Sequence, residues 1–123
     1  ATDNEFIELL TTLAPLYFKD FHLFEKEFSE AAIDMVPNAA AFRHSFSVLL
    51  PKYDLREKLF NIKIPVLILC GRHDWITPVS QSKILNEKIQ NSELVIFENS
   101  GHWVYIEEEE LFLNTVNEWL GRT

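Results

Sequence analysis

Seven consecutive residues, Ile64-Pro65-Val66-Leu67-Ile68-Leu69-Cys70, carry no polar side chain. An apolar run without alternation has no face to turn to water, so it predicts a parallel strand covered on both sides. It is far too short for a membrane helix, which needs roughly 20 such residues. Pro65 fits near the strand's beginning, where no interior ladder bond is lost. Leu94-Val95-Ile96-Phe97 is a second, shorter run of the same kind. Between them, Pro78 opens a helix to about Gln90, with Val79, Ile84, Leu85 and Ile89 on its inner side. A last helix, Glu107 to Leu120, gathers Leu111, Phe112, Thr115, Val116 and Trp119 on one face. Strand, helix, strand, helix in that order means an α/β chain with a parallel sheet. Two strands are too few for an independent sheet, so the first is expected to lack its usual neighbour.

The chain from about Glu5 to Phe60 has helical periodicity instead. Phe6, Leu9, Leu10, Leu13 and Leu16 share one face, with Pro15 as a break or kink. A second helical stretch is expected from Phe21 to Met35, with Phe24, Phe28, Ala31 and Met35 on one stripe. Asn38 is placed to cap a helix over Ala39 to Leu50, which Pro51 ends, and Asp54 to cap a short one over Leu55 to Phe60. The division falls between residues 1–60, all helical, and residues 61–123, alternating α and β.

Charge narrows the function classes. The 123 residues carry a formal net charge of −8, without a Lys/Arg cluster, which disfavours nucleic-acid binding. No membrane span is expected. Cys70 is the single cysteine, so an intramolecular disulfide and a cysteine-rich zinc site are excluded. Its place in the apolar run predicts a buried small hydrophobe. No signal-peptide pattern is visible, which makes cytoplasmic residence the expectation. The sequence begins at Ala1 and not at Met, which points to residues upstream. The acidic tract Glu107-Glu108-Glu109-Glu110 is expected to complement a helix dipole in the first turn.

The chemistry sits in the loops that follow the two strands. They read Gly71-Arg72-His73-Asp74-Trp75-Ile76-Thr77-Pro78 and Asn99-Ser100-Gly101-His102-Trp103. In open α/β sheets such loops share one crevice at the carboxyl ends of the strands, so Asp74 and His102 should meet there. An aspartate bonded to one imidazole nitrogen fixes the tautomer and stabilises the imidazolium formed when the other nitrogen takes a proton. Imidazole, with an unperturbed pKa of about 6.5, is the natural proton shuttle near neutrality. Taken singly, Asp74 reads as an N-cap and His102 as a surface or core residue; their joint placement favours a catalytic pair. His73 is expected to face solvent, and a metal site of His73, Asp74 and His102 matches no standard spacing. Trp75 and Trp103 are expected to pack the loops more than to wall a pocket. Gly71 is expected to supply a special backbone angle at the strand end.

The order strand, Gly71-x-x-Asp74-x-x-x-Pro78, helix, strand, Ser100-Gly101-His102, helix resembles the C-terminal end of the α/β-hydrolase fold. The resemblance covers about Asp54 to the C-terminus. It implies a cofactor-free hydrolase of small esters, amides or peptides in which Asp74 is the triad acid and His102 the base, in the family's chain order. Residues 1–60 are similar by position to the cap that many members insert before the penultimate strand. The chain is most similar to proline-iminopeptidase-like and related small-ester hydrolases. In such peptidases cap carboxylates bind the substrate's free amine, which puts forward Glu5, Glu8, Glu25, Glu27 and Glu30, none within a motif.

The departure from the family pattern is large. Gly71, Gly101 and Gly121 are the only glycines, and none offers the Gly-x-Ser-x-Gly elbow that carries the nucleophile. Ser100 belongs to the same loop as His102 and is no substitute. The oxyanion-hole loop is missing as well. The chain alone is therefore expected to be inactive, and the nucleophile, Ser or the Asp that some relatives use on haloalkanes or epoxides, to come from upstream. The exposed strand edge is expected to bind that missing N-terminal part or a second copy of the chain. A non-catalytic association module is the alternative.

Overall fold

The computed structural model describes residues 2–123. Two strands, β1 (Val66–Gly71) and β2 (Ser92–Phe97), pair in parallel, with register running from Val66 opposite Ser92 to Gly71 opposite Phe97. Both strands therefore stop at one level, and the loops that follow leave side by side. The crossover between them carries α4 (Val79–Lys88), N-capped by Pro78 as expected. Ile68, Cys70, Ile89, Phe97 and Val104 form the buried core of this half.

The covering of the sheet is less complete than two apolar runs suggest. Ile64 lies outside the strand and is 70% exposed, and Leu67 and Leu69 are only half-buried. Leu85 and Leu111 are exposed, whereas Phe112, Thr115, Val116 and Trp119 are partly covered, as the stripe predicts. The reason is width: among the described residues β1 and β2 pair only with each other, too narrow a sheet to cover both helices.

The last helix is two helices. α5 (Val104–Glu107) ends where Glu108 leaves helical geometry at φ −133° and ψ 54°, and α6 (Glu109–Arg122) starts anew. Only Glu109 and Glu110 lie in the first turn of α6, where carboxylates complement the dipole. Glu107 and Glu108 instead turn back to the loop at Ser100 and Gly101.

Residues 2–61 are helical but more broken than their periodicity implies. α1 (Asp3–Leu13) passes into a 3-10 turn, Ala14–Tyr17, at Pro15. The second stretch is a 3-10 turn, Phe21–Leu23, and then α2 (Glu25–Ala32). Asn38 does cap α3 (Ala39–His44), accepting from the Ala41 N–H at 2.8 Å. That helix continues as a π turn, Ser45–Leu49, and a 3-10 turn holding Pro51. Asp54 accepts from the Arg56 N–H, but the turn that follows, Arg56–Asn61, is 3-10. Phe6, Ala14, Phe18 and Ala39 are buried here; Phe42, Phe46 and Leu49 are exposed.

Gly71 has a role other than the expected backbone angle, since no glycine among the described residues has positive φ. What it supplies is room. A Cβ at Gly71 would overlap the carbonyl oxygens of Gly101 and Ser100, and one at Gly101 would stand 2.5 Å from the Tyr17 carbonyl oxygen. Around Gly121 there is open space. Gly71→Ala should therefore destabilise by roughly 3 kcal/mol or more, because backbone cannot swing aside. Gly121→Ala should be neutral or stabilise by up to about 1 kcal/mol through helix propensity. Urea midpoints of the two variants check the contrast.

Candidate active site

In-register strand ends bring the two loops into contact along their backbones. The N–H groups of Arg72 and His73 donate to the carbonyls of Phe97 and Ser100, at 2.8 and 2.9 Å. The first ties the loop after β1 to the last residue of β2, and the second ties it to the loop that carries His102.

Across that seam His102 Nδ1 and Asp74 Oδ2 stand 2.8 Å apart, as the sequence predicts. Asp74 is 7% exposed. Its Oδ1 accepts from the N–H groups of Ile76 and Thr77, and its Oδ2 also accepts from the Thr77 hydroxyl at 2.7 Å. Burial by itself pushes this carboxyl up. The Thr77 N–H and hydroxyl, His102 and its charge together outweigh burial and hold it below its ordinary 3.8. An ionised carboxylate only accepts, so Nδ1 carries the proton and Nε2 keeps the basic lone pair. The arrangement can take a proton at Nε2 and stabilise the resulting cation through Asp74.

The helical half holds this pair from the other side. The Tyr17 carbonyl accepts the His102 N–H at 2.6 Å, and the Tyr17 ring meets the imidazole edge-on with centroids 5.6 Å apart. Trp75 Nε1 donates to the Leu16 carbonyl. Trp103 packs on Phe18 and Phe28, with centroids 5.2 and 5.3 Å apart, and also walls a cavity of about 380 Å³. Packing was the expected role of Trp103; it fills both. The cavity is lined by Leu10, Ala14, Tyr17, Phe28, Met35 and other uncharged residues.

His73 faces solvent and Ser100 is fully buried, its hydroxyl donating to Glu108 at 2.6 Å. Of the five glutamates put forward in the helical half, Glu5 caps α1 with Thr2, Glu25 pairs with His22 and Glu30 with Lys26; none of the five lines the cavity. Among the described residues no group of three or more His, Cys, Asp or Glu is arranged to hold a metal ion, and no helix is long and apolar enough to cross a membrane. Thr77, Tyr17, Glu107 and Glu108 are the site's residues that sequence reasoning missed. Only Thr77 had a local signal, as a hydroxyl three residues after an aspartate at a helix entry.

Residues 5–109 match the sequence model of the alpha/beta hydrolase fold. The chain belongs to the α/β-hydrolase family. A relative, the AB hydrolase superfamily protein YisY of Bacillus subtilis, is 37% identical in an alignment that covers 87% of this chain and 42% of YisY. Proline iminopeptidase PfmaB of Pestalotiopsis fici is 27% identical over 97% of this chain and 42% of its own. Among solved structures, the esterase of Exiguobacterium antarcticum superposes with a TM-score of 0.77 at 25% identity, over 93% of this chain and 42% of that one. This α/β-hydrolase chain thus spans less than half the length of these relatives.

Thr77→Val deletes one donor to a buried carboxylate and should cost about 1.5–3 kcal/mol. A carboxyl held below its unfolded value adds stability above 3.8 that is lost as pH falls through the folded value. The deficit of Thr77→Val should therefore be full at neutral pH and shrink below 3.8. Urea midpoints across that range check it.

Proposed function

We propose that this chain is the C-terminal part of a serine-type α/β-hydrolase acting on small esters or amides. Residues 1–60 would be its cap and 61–123 the end of its core. The 2.8 Å contact between Asp74 and His102 carries the reading. A serine from the upstream part attacks the carbonyl carbon, His102 Nε2 takes the hydroxyl proton, and Asp74 orients and stabilises the imidazolium. The proton then passes to the leaving alcohol or amine, and water attacking the acyl-enzyme repeats the sequence. No cofactor takes part.

Kinship with an esterase and a proline iminopeptidase supports this substrate range. The uncharged lining of the cavity beside Trp103 favours an apolar ester or amide over a substrate with a free amine. Exposed Ile64, Leu85 and Leu111 around a two-stranded sheet favour the missing N-terminal part as the partner of this half. A second copy of the chain is the other occupant of that edge, under the reading of a non-catalytic association module.

In a polypeptide joining this chain to its nucleophile-bearing region, Asp74→Asn should lower kcat on a p-nitrophenyl ester by about 10⁴-fold. His102→Ala should lower it at least as far with the fold intact. The 123-residue chain alone should give neither turnover nor a stoichiometric burst. Parental activity in His102→Ala would sink the reading, and a burst from the chain alone would remove the need for an outside nucleophile.

A further inference from the structure

The loop that carries His102 is gripped from behind by two consecutive carboxylates. Glu108 Oε2 accepts from the Asn99 N–H at 3.0 Å and from the Ser100 hydroxyl at 2.6 Å. Glu107 Oε2 accepts from the Gly101 N–H at 2.6 Å, while its Oε1 accepts from the Lys19 N–H, also at 2.6 Å. With the Tyr17 carbonyl on the His102 N–H, every residue from 99 to 102 is tied down by a backbone or side-chain bond outside regular structure. Glu107 differs from Glu108 in one respect. It alone of the two joins the loop to the helical half, two residues beyond the carbonyl that receives the His102 N–H.

We propose that Glu107 is a positioning residue for His102, locking the 99–102 loop to the Tyr17–Lys19 segment so that the imidazole keeps its alignment with Asp74. The break at Glu108 serves this arrangement, because it lets α5 end with its last carboxylate turned back to the loop while α6 starts separately. Burial pushes the Glu107 carboxyl up, with Glu108 adding to the rise, while the Lys19 and Gly101 N–H groups and the charge of His73 pull it down. A half-buried carboxylate beside another one is costly to keep, and the two charge-assisted bonds to backbone are what offset that cost. Gln in its place would keep one acceptor and aim an amide N–H at a backbone N–H, so a change of one atom breaks half the lock.

The inference rests on His102 being the base, and the experiment separates the two. In the complete enzyme, kcat and KM on a p-nitrophenyl ester are measured for Glu107→Gln, Glu107→Ala, Glu110→Gln and His102→Ala, with melting temperature and active-site titration for each. Misplacing a reacting group by about 1 Å costs on the order of 100-fold. Glu107→Gln and Glu107→Ala should therefore lose roughly 10- to 100-fold in kcat per titrated site, with KM within about twofold, while still folded at the assay temperature. Glu110→Gln, a change in the same acidic tract on the first turn of α6, should match the parent. If Glu107→Ala fails to fold, Glu107→Gln decides alone. Parental kcat in folded Glu107→Gln alongside a dead His102→Ala would overturn the inference and leave the triad intact. A loss shared equally by Glu110→Gln would overturn it too, as a general charge effect. Parental activity in His102→Ala would remove its foundation.

Discussion

Everything at the site depends on one close approach, that of Gly71 to the loop through Gly101. Parallel register brings both strand ends to one level, but level ends alone do not join two loops. They join because no side chain intervenes at Gly71, so the Ser100 and Gly101 carbonyls can pass over it and Ser100 can accept the His73 N–H. The carboxylate of Asp74 then lies 2.8 Å from the imidazole Nδ1. The same need for room recurs at Gly101, where the Tyr17 carbonyl lies close enough to take the His102 N–H. Two glycines thus stack three backbone segments, and Asp74 and His102 meet where they cross.

The electrostatics follow from that stacking. Asp74 is buried, yet stays ionised because backbone and hydroxyl donors surround it. Glu107 is also partly buried, with fewer donors and an acidic neighbour, so burial prevails there. At Asp74 the donors and His102 outweigh burial, whereas at Glu107 burial and the neighbouring Glu108 outweigh the two backbone N–H groups.

Much of the α/β half was legible in the sequence because its signals are local. An unbroken apolar run, Pro78 at a helix entry and the spacing of Phe112, Thr115, Val116 and Trp119 each report on one element at a time. Asp74 and His102 were legible together, since two strand ends imply a shared crevice. What stayed hidden has no local mark. The acidic tract looks like a helix start throughout, and nothing in it says that Glu107 and Glu108 turn back to the loop while Glu109 and Glu110 do not. Tyr17 gives a main-chain oxygen, which every residue possesses. Leu85 and Leu111 fit helical stripes correctly, but the sheet beneath them is too narrow to use them, and width is not a property of the stripe.

The bonds around His102 also differ widely in the length of chain they close. The Asp74–His102 bond closes a loop of 28 residues within a single strand–helix–strand unit. The bonds that brace it close 59 residues for Trp75 to Leu16 and 88 for Lys19 to Glu107. Longer loops cost more entropy to close and tend to form later as a chain folds. The Asp74–His102 contact thus joins near neighbours in the chain, whereas the bonds that brace it join distant ones. Partial unfolding of the helical half would release the brace first, leaving the aspartate and imidazole in contact but free to wander.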